Sequence, residues 1–457
     1  MTDNDNAPGT QASDAQTRRR LSGLRGSRRR MLKTLGAVGA ADLLAGCGGD
    51  AATPDTPNKI TIIQENVPDT AAIEPLLDQF EEETGIAAEM TTDSYETLRG
   101  KIPTQMQSDD PDFDVAIQDI YWVGDFAEGG LTQPLGDRIA DSDSIDPDVY
   151  FDPIWNGTAT YDGTTYGVPF FHYGHTMMYR TDVLEDPELA SEYDGNLSRP
   201  ETVNEYVDVA KFLTRDTNDD GEVDFYGAAM QGQRGIPIND EYMNYFQGLG
   251  GTFATADGEV KIDEHEDTAV EALEVYIDMI SNASPEASKQ WKFSQAMEFL
   301  GNGEAFSMFT YHVLYPILAG NTDAGENLGF APVAGGSPPL GGWSWALPRN
   351  LDEGRAAAAW RFIEWIESFE IRKQRMLNGG SPTARDVLDD DEVVESNPTF
   401  FKQQAEMISN AKPFPNVPGT TQAVQNWGTE LSQAVAGNKD PEQAVADGID
   451  RVKNALE

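Results

Sequence analysis

The stretch YDGTTYGVPFFHYGHTMMYRTDVL, residues 161–184, decides how this chain is organised. Aromatic and apolar residues on both sides of Pro169 favour strands. A proline cannot donate to a strand ladder, so Pro169 predicts an irregular crossing between two strands. The length of 457 residues exceeds one ordinary domain, so two lobes are expected.

Strands and helices alternate before this crossing. Strands are predicted at residues 59–66, 86–92 and 112–120. Helical spacing of apolar residues predicts helices at 70–85, 95–106, 201–213, 267–280, 356–368 and from Asp440 to the C-terminus. This alternation predicts an α/β fold with a parallel sheet.

The order of the motifs resembles that of the bacterial and archaeal extracellular solute-binding proteins that deliver sugars to ABC transporters, of which the maltose- and trehalose-binding proteins are the type. The segments that carry the resemblance are 161–184, 112–135, 199–214, 299–309, 341–350 and 379–388. In the last of them Ala384 separates Arg385 from the family's Pro-Thr pair. The resemblance implies a two-lobed periplasmic-binding-protein-like fold, with a ligand cleft between lobes joined by crossing hinge strands.

Each lobe is then discontinuous. We expect lobe 1 to comprise 58–168 and 306–367, and lobe 2 to comprise 169–305 and 368–457. Ligand contacts to both lobes would favour the closed form through their differential affinity.

The N-terminus has the features of an export signal. Residues 27–33, SRRRMLK, resemble a twin-arginine (Tat) motif, and a short apolar run leads to LAGC, which resembles a lipobox ending at Cys47. We therefore expect a signal peptide at 1–47, lipidation of Cys47 and a flexible tether at 48–57. The alternative is a loop cysteine behind a basic tail. Cys47 is the only cysteine, so no disulfide is expected.

The chain is very acidic, with 78 Asp and Glu against 32 Lys and Arg and a formal net charge of −46. Such self-repulsion is tolerable where salt screens it, because the Debye length falls to about 3 Å in molar salt. The composition indicates a halophilic archaeon. Nucleic acid is excluded as a partner, since no basic stripe could neutralise phosphates.

Candidate ligand-binding residues lie at strand ends and in loops, where open α/β sheets hold ligands. Aromatic faces suit the C–H side of a sugar ring, and carboxylates, amides and arginine suit its hydroxyls. The candidates are Gln64, Glu65, Gln118, Asp119, Tyr121, Trp122, Phe170, His172, Tyr173, Tyr311, His312, Gly342, Trp343 and Arg385.

Other classes of function remain open at this point. A binding protein for a polyamine or a polyol phosphate is one alternative, and an exported glycoside hydrolase is a weaker one, because no nucleophile, phosphate or metal motif is present. Residues 216–227 match an EF-hand loop at positions one, three, five, six and nine, but Gly227 stands where a bidentate Glu belongs. A tight polar turn is expected, with a calcium site as the alternative, and no metal or cofactor is predicted.

The sequence therefore predicts a lipid-anchored binding protein of an ABC importer on the extracellular face of the membrane. Its expected ligand is a sugar or oligosaccharide. Its expected partners are permease subunits and cytoplasmic ATPases, with the membrane reached only through the lipid anchor. We expect a monomer.

Overall fold

The computed structural model describes residues 57–255 and 259–456. The predicted signal peptide, Cys47 and nearly all of the tether lie outside these residues. None of the helices in the described ranges combines the length and the apolarity that a bilayer crossing requires.

Ten strands and nineteen α-helices occur in the described part of the chain. The strands are β1 (Lys59–Glu65), β2 (Ala87–Asp93), β3 (Val115–Asp119), β4 (Thr160–Tyr161), β5 (Thr164–Thr165), β6 (Val168–Arg180), β7 (Tyr226–Ala228), β8 (Ala305–Tyr311), β9 (Leu328–Pro332) and β10 (Leu340–Ala346). The helices are α1 (Pro68–Ala71), α2 (Leu77–Thr84), α3 (Tyr95–Met106), α4 (Val123–Glu128), α5 (Gly136–Ala140), α6 (Asp152–Ala159), α7 (Thr181–Leu184), α8 (Pro187–Glu192), α9 (Val203–Leu213), α10 (Ile236–Gly248), α11 (Glu266–Asn282), α12 (Phe293–Gly301), α13 (Tyr315–Asn321), α14 (Glu353–Ile366), α15 (Phe369–Leu377), α16 (Asp391–Ser396), α17 (Pro398–Asn410), α18 (Thr420–Val435) and α19 (Pro441–Leu456).

These elements confirm the α/β prediction, although the main sheet is mixed and not wholly parallel as predicted. The order within the main sheet is β2-β1-β3-β10-β6-β8-β7, with β9 also paired to β6. β1 pairs in parallel with β2 and β3, and β7 pairs in parallel with β8. β10 and β6 run antiparallel to their neighbours.

Strand β6 belongs to two half-sheets. Its residues 168–174 pair with β10, which joins them to β3, β1 and β2, and we call this the first half-sheet. Its residues 175–180 pair with β8 and β9, and with β7 they form the second half-sheet. The pairing therefore groups residues 305–332 with the second half-sheet, unlike the predicted lobe range 306–367. The lobe ranges as a whole stay a prediction.

The two separate strands predicted around Pro169 form one strand, because β6 is continuous over thirteen residues. The predicted irregularity is present in the pairing with β10. Trp343 pairs with Phe171 and the next residue, Ser344, pairs with Pro169, so Phe170 is an extra residue in β6. A bulge in β6 therefore interrupts the ladder beside the proline, which has no N–H to donate.

The helix predicted at 70–85 is also wrong in its continuity. It is divided into α1, a 3-10 turn at Glu74–Leu76 and α2. Pro75 lies in that turn and lacks the N–H that an α-helical bond there would need. The helices at 201–213 and 267–280 are confirmed. Thr202 and Glu205 form a capping box at the start of α9.

Candidate functional site

A cavity of about 1080 Å³ lies beside β6, where the two half-sheets meet. The first half-sheet contributes the carboxyl ends of β1 and β3, the start of α3 and the start of β10. The second half-sheet contributes the middle of β6, the end of β8 and the helices α10 and α12 that lie beside β8. Its size is at the upper end of ordinary small-molecule sites.

Five carboxyl groups line this cavity, and three of them, those of Glu65, Asp119 and Asp240, have raised pKa values. Glu65 and Asp119 end the neighbouring strands β1 and β3, whose carboxyl ends lie at the same edge because the strands are parallel. Asp240 comes from α10 on the opposite side. The Asp119 carboxylate accepts the backbone N–H of Tyr121 at 2.8 Å.

Asp240 is held by donors from both sides of the cavity. Its carboxylate accepts from the hydroxyl of Tyr311 at 2.7 Å, from the amide of Asn239 at 3.0 Å and from the hydroxyl of Tyr121 at 3.4 Å. Tyr121 follows β3, whereas Tyr311 ends β8. Asp240 is therefore a point of contact between the two halves of the molecule.

Burial changes the charge of these acids. It raises the pKa of Glu65 to about 8, with further contributions from the negative charges of Glu96 and Asp69. It raises the pKa of Asp119 well above its usual range, although the N–H of Tyr121 opposes the shift. The pKa of Asp240 rises to about 6 because burial outweighs its three hydrogen bonds. At neutral pH the Glu65 carboxyl is therefore mostly protonated and can donate a hydrogen bond.

Aromatic side chains form much of the remaining wall. Trp343 is 1% exposed and meets Trp122 edge-on at 5.2 Å and Tyr95 edge-on at 5.8 Å between ring centroids. Tyr95 stacks on Trp122 at 5.6 Å. Trp343 and Tyr95 line the cavity, while Trp122 supports them from behind.

The candidates predicted from sequence divide into two groups. Those that line the cavity are Glu65, Asp119, Tyr121, Tyr173, Tyr311, Gly342 and Trp343. Those that do not line it are Gln64, Gln118, Trp122, Phe170, His172, His312 and Arg385. For the second group a binding role stays a prediction.

The second group packs into the core or onto the surface. The Gln118 amide donates to Ser344 at 3.0 Å, and Phe170 packs on Trp345 with a centroid distance of 4.2 Å. His172 and His312 stack on each other at 4.2 Å, both fully buried. For Gln64 no hydrogen-bond partner is found among residues 57–255 and 259–456.

Arg385 points away from the cavity and toward α6. Its guanidinium donates to the backbone carbonyl of Tyr150, lies 4.8 Å from the ring of Phe151 and is 3.6 Å from the Asp152 carboxylate. The inserted Ala384 forms a bridge with Tyr150. Arg385 therefore anchors its own loop to the start of α6.

Gly342 is a close-approach glycine. A Cβ atom there would lie 2.9 Å from the Thr158 methyl of α6 and 3.2 Å from the carbonyl oxygen of Phe171. The missing side chain thus lets β10 pack against α6 and β6, while the Gly342 backbone contributes to the cavity wall.

Several lining residues were missed by the sequence analysis. They are Tyr95, Arg99, His175, Gln231, Arg234, Asp240, Lys292 and Phe293. His175 had a usable signal, because it lies two residues after Tyr173 and a strand places alternate residues on one face. Lys292 and Glu96 form an ion pair of 3.5 Å across the cavity mouth, between α12 and α3.

The loop resembling an EF-hand is a polar turn. The Asp216 carboxylate accepts the backbone N–H of Gly221 at 2.7 Å and that of Asn218 at 3.2 Å. Within the described ranges, no three Asp, Glu, His or Cys side chains are grouped so that they could hold a metal ion.

Comparison with known proteins agrees with this architecture. The family model described as bacterial extracellular solute-binding protein matches residues 64–371. The erythritol/L-threitol-binding protein of Mycolicibacterium smegmatis is 24% identical over 402 residues, covering 79% of this chain and 82% of that protein.

Solved structures of solute-binding proteins also superpose on this chain. A solute-binding protein of an ABC transporter from Agrobacterium radiobacter, in complex with ribitol, superposes with a TM-score of 0.75 and 25% identity, covering 88% of this chain and 100% of the other. Thermotoga maritima MalE3 with bound maltose superposes with a TM-score of 0.74 and 24% identity, covering 87% and 100%.

Proposed function

Because this chain belongs to the bacterial extracellular solute-binding protein family, we propose that it is the substrate-binding component of an ABC importer for a neutral sugar or polyol. Its partners would be two permease subunits and their ATPases. The relatives bind erythritol or L-threitol, ribitol and maltose, and they are binding proteins rather than enzymes. We propose that this chain likewise has no catalytic activity. Binding of a polyamine or a polyol phosphate is not favoured, and neither is glycoside hydrolysis.

One observation carries the proposal. Carboxyl groups and aromatic faces from both half-sheets converge on one cavity, with Glu65 and Asp119 on one side and Asp240 on the other. Hydroxyl groups donate to carboxylates and accept from protonated carboxyls, and the C–H faces of a sugar pack on aromatic rings. The site therefore offers both kinds of contact that a polyhydroxyl ligand needs.

The proposed mechanism is closure around the ligand. The two half-sheets share β6 and meet through the Tyr121–Asp240 contact and the Lys292–Glu96 ion pair. A ligand that binds Asp119 and Asp240 together gains both sets of contacts only when the halves are close. Its differential affinity for that form shifts the population toward closure.

Thermal unfolding tests the function directly. The chain from residue 58 onward is heated in 2 M KCl with erythritol, ribitol, maltose, spermidine or sorbitol 6-phosphate. A ligand at about 100 times its Kd adds about 2.7 kcal/mol to the free energy of unfolding. We expect a rise in Tm with at least one neutral compound. A rise only with spermidine or sorbitol 6-phosphate, or with none of the five, would contradict the proposal.

We further propose that the protein is exported by the Tat route, anchored through lipidated Cys47 and used in a high-salt environment. The support is the order SRRRMLK, apolar run and LAGC, together with the net charge of −46. Cys47→Ser should move the protein from the membrane fraction to the medium of the native host. A variant that stays with the membrane as the wild type does would contradict the anchor.

A further inference from the structure

His175 occupies the wall of the cavity at the point where β6 passes from the first half-sheet to the second. It is 1% exposed and lies two residues beyond Tyr173, on the same face of the strand. Its ring meets the ring of Tyr311 edge-on with a centroid distance of 4.7 Å. Because the Tyr311 hydroxyl donates to Asp240 at 2.7 Å, His175 and Asp240 both contact one tyrosine.

The hydrogen bonds of Asn244 define the tautomer of His175. The Asn244 amide nitrogen lies 2.8 Å from Nδ1 of His175. The same nitrogen has the backbone carbonyl oxygens of Asp240 at 3.0 Å and Glu241 at 3.1 Å, so one N–H is shared between these two carbonyls and the other points to Nδ1, which sets the orientation of the amide. Nδ1 must then accept, so the ring proton is on Nε2. Burial lowers the pKa of His175 to about 4, which keeps the ring neutral.

This proton has no acceptor among the residues that the structure describes. Within residues 57–255 and 259–456, Nε2 of His175 is buried and without a hydrogen-bond partner. An unsatisfied buried donor costs about 1–3 kcal/mol, so such groups in a binding cavity are satisfied by water or by a ligand. The cavity is the space from which that acceptor can come.

We propose that His175 is a specificity-determining residue that donates from Nε2 to a ligand oxygen, and that it makes the site select neutral hydroxyl compounds. The inference rests on the proposed function and adds to it a residue and a selection rule. Neither the sequence motifs nor the relatives' ligands assign this role to His175.

The selection rule follows from the two groups that contact Tyr311 and line the cavity. A ligand group that contacts both Nε2 of His175 and the Asp240 carboxylate must accept from an imidazole N–H and donate to a carboxylate. A hydroxyl does both. An ammonium group has no lone pair to accept with, and a phosphate oxygen meets the negative charge of Asp240. Amines and phosphates are therefore rejected by two different residues of the same wall.

The test compares two variants in 2 M KCl with whichever of erythritol, ribitol and maltose binds the wild type. His175→Leu removes the donor, and His175→Gln keeps a neutral N–H. We expect the Leu variant to bind about tenfold more weakly, as for the loss of one hydrogen bond to a buried donor, and the Gln variant to stay within about threefold of the wild type. His265→Leu is the matched control, because His265 does not line the cavity.

Two-dimensional NMR of the wild type, labelled with ¹⁵N at histidine, identifies the tautomer of His175. This measurement does not depend on whether a variant folds. We expect the Nε2–H form of His175 and a shift of that signal on adding the ligand. An Nδ1–H tautomer, or an unchanged Kd in a folded His175→Leu protein, would overturn the inference while leaving the proposed function intact. If no neutral compound binds the wild type, the proposed function fails and the inference fails with it.

Discussion

At the scale of single residues, Glu65 couples the cavity to pH. Its pKa is raised from 4.5 to about 8 by burial and by Glu96 and Asp69. A raised pKa means that the folded state holds this proton more tightly than the unfolded state. Its contribution to stability is therefore complete below about pH 4.5 and is lost as the pH rises to about 8. The folded protein tolerates a charged Glu65 only at the expense of stability.

Glu65→Gln should remove this part of the pH dependence. We expect the variant to equal the wild type near pH 5 and to unfold at a higher temperature than the wild type at pH 9, because the neutral amide escapes the burial of a charge. The measurement is Tm against pH without ligand. Asp119 and Asp240 have pKa values raised in the same direction, so a residual decline with pH stays in both proteins.

The control for this prediction is Glu222→Gln. Glu222 is exposed in the polar turn and is remote from the cavity wall. Its curve should follow that of the wild type throughout. If the Glu65→Gln curve also ran parallel to the wild type, the Glu65 carboxyl would not be the group that titrates near pH 8.

At the scale of elements, strand β6 shows which of its structural features could be predicted from its sequence and which could not. Strand residues and Pro169 predict an irregular crossing, and an irregularity is present, because Phe170 is an extra residue beside the proline. The continuity of β6 through this bulge depends on its pairing with Trp343 and Ser344, in a strand far away in sequence. Residues 161–184 alone do not show that pairing, so the prediction of two separate strands was wrong.

Helix α10 is the opposite case, since its role was hidden from sequence analysis. Its buried residues include Asn239, Asp240, Glu241 and Asn244, so polar as well as apolar side chains of this helix are buried. Amphipathic spacing identifies helices with one apolar face, and polar residues are ordinarily expected in solvent. Here they serve the cavity and a buried hydrogen-bond network, and only the fold brings them there.

The candidate binding residues also divide into those whose position could be predicted from the sequence and those whose position could not. Those at strand ends were predictable because the carboxyl edge of a parallel sheet is where side chains meet a ligand, as at Glu65 and Asp119. Gln64 and Gln118 each precede one of these residues, and neither lines the cavity. Strand alternation places them on the opposite face, so the prediction was one residue too broad in each strand.

At the scale of the whole molecule, the acidic surface makes stability depend on salt. The net charge of −46 is spread over a chain whose ion pairs are mostly exposed, such as Lys59–Glu89 and Lys211–Asp278. Exposed pairs of this kind contribute about 0–1 kcal/mol each and are weakened by salt. The repulsion among the many unpaired acids is weakened as well, and it is the larger effect.

Raising KCl from 0.1 to 2 M should therefore increase Tm, although the same salt weakens the Lys292–Glu96 pair at the cavity mouth. In the proposed closure, the ligand then depends on the buried contacts of Asp240 rather than on that pair. Thermal unfolding across the KCl series measures the effect. Glycine betaine at matched osmolality separates charge screening from general exclusion of solute. Equal gains with betaine and KCl, or no gain with KCl, would mean that self-repulsion does not limit the stability of this fold.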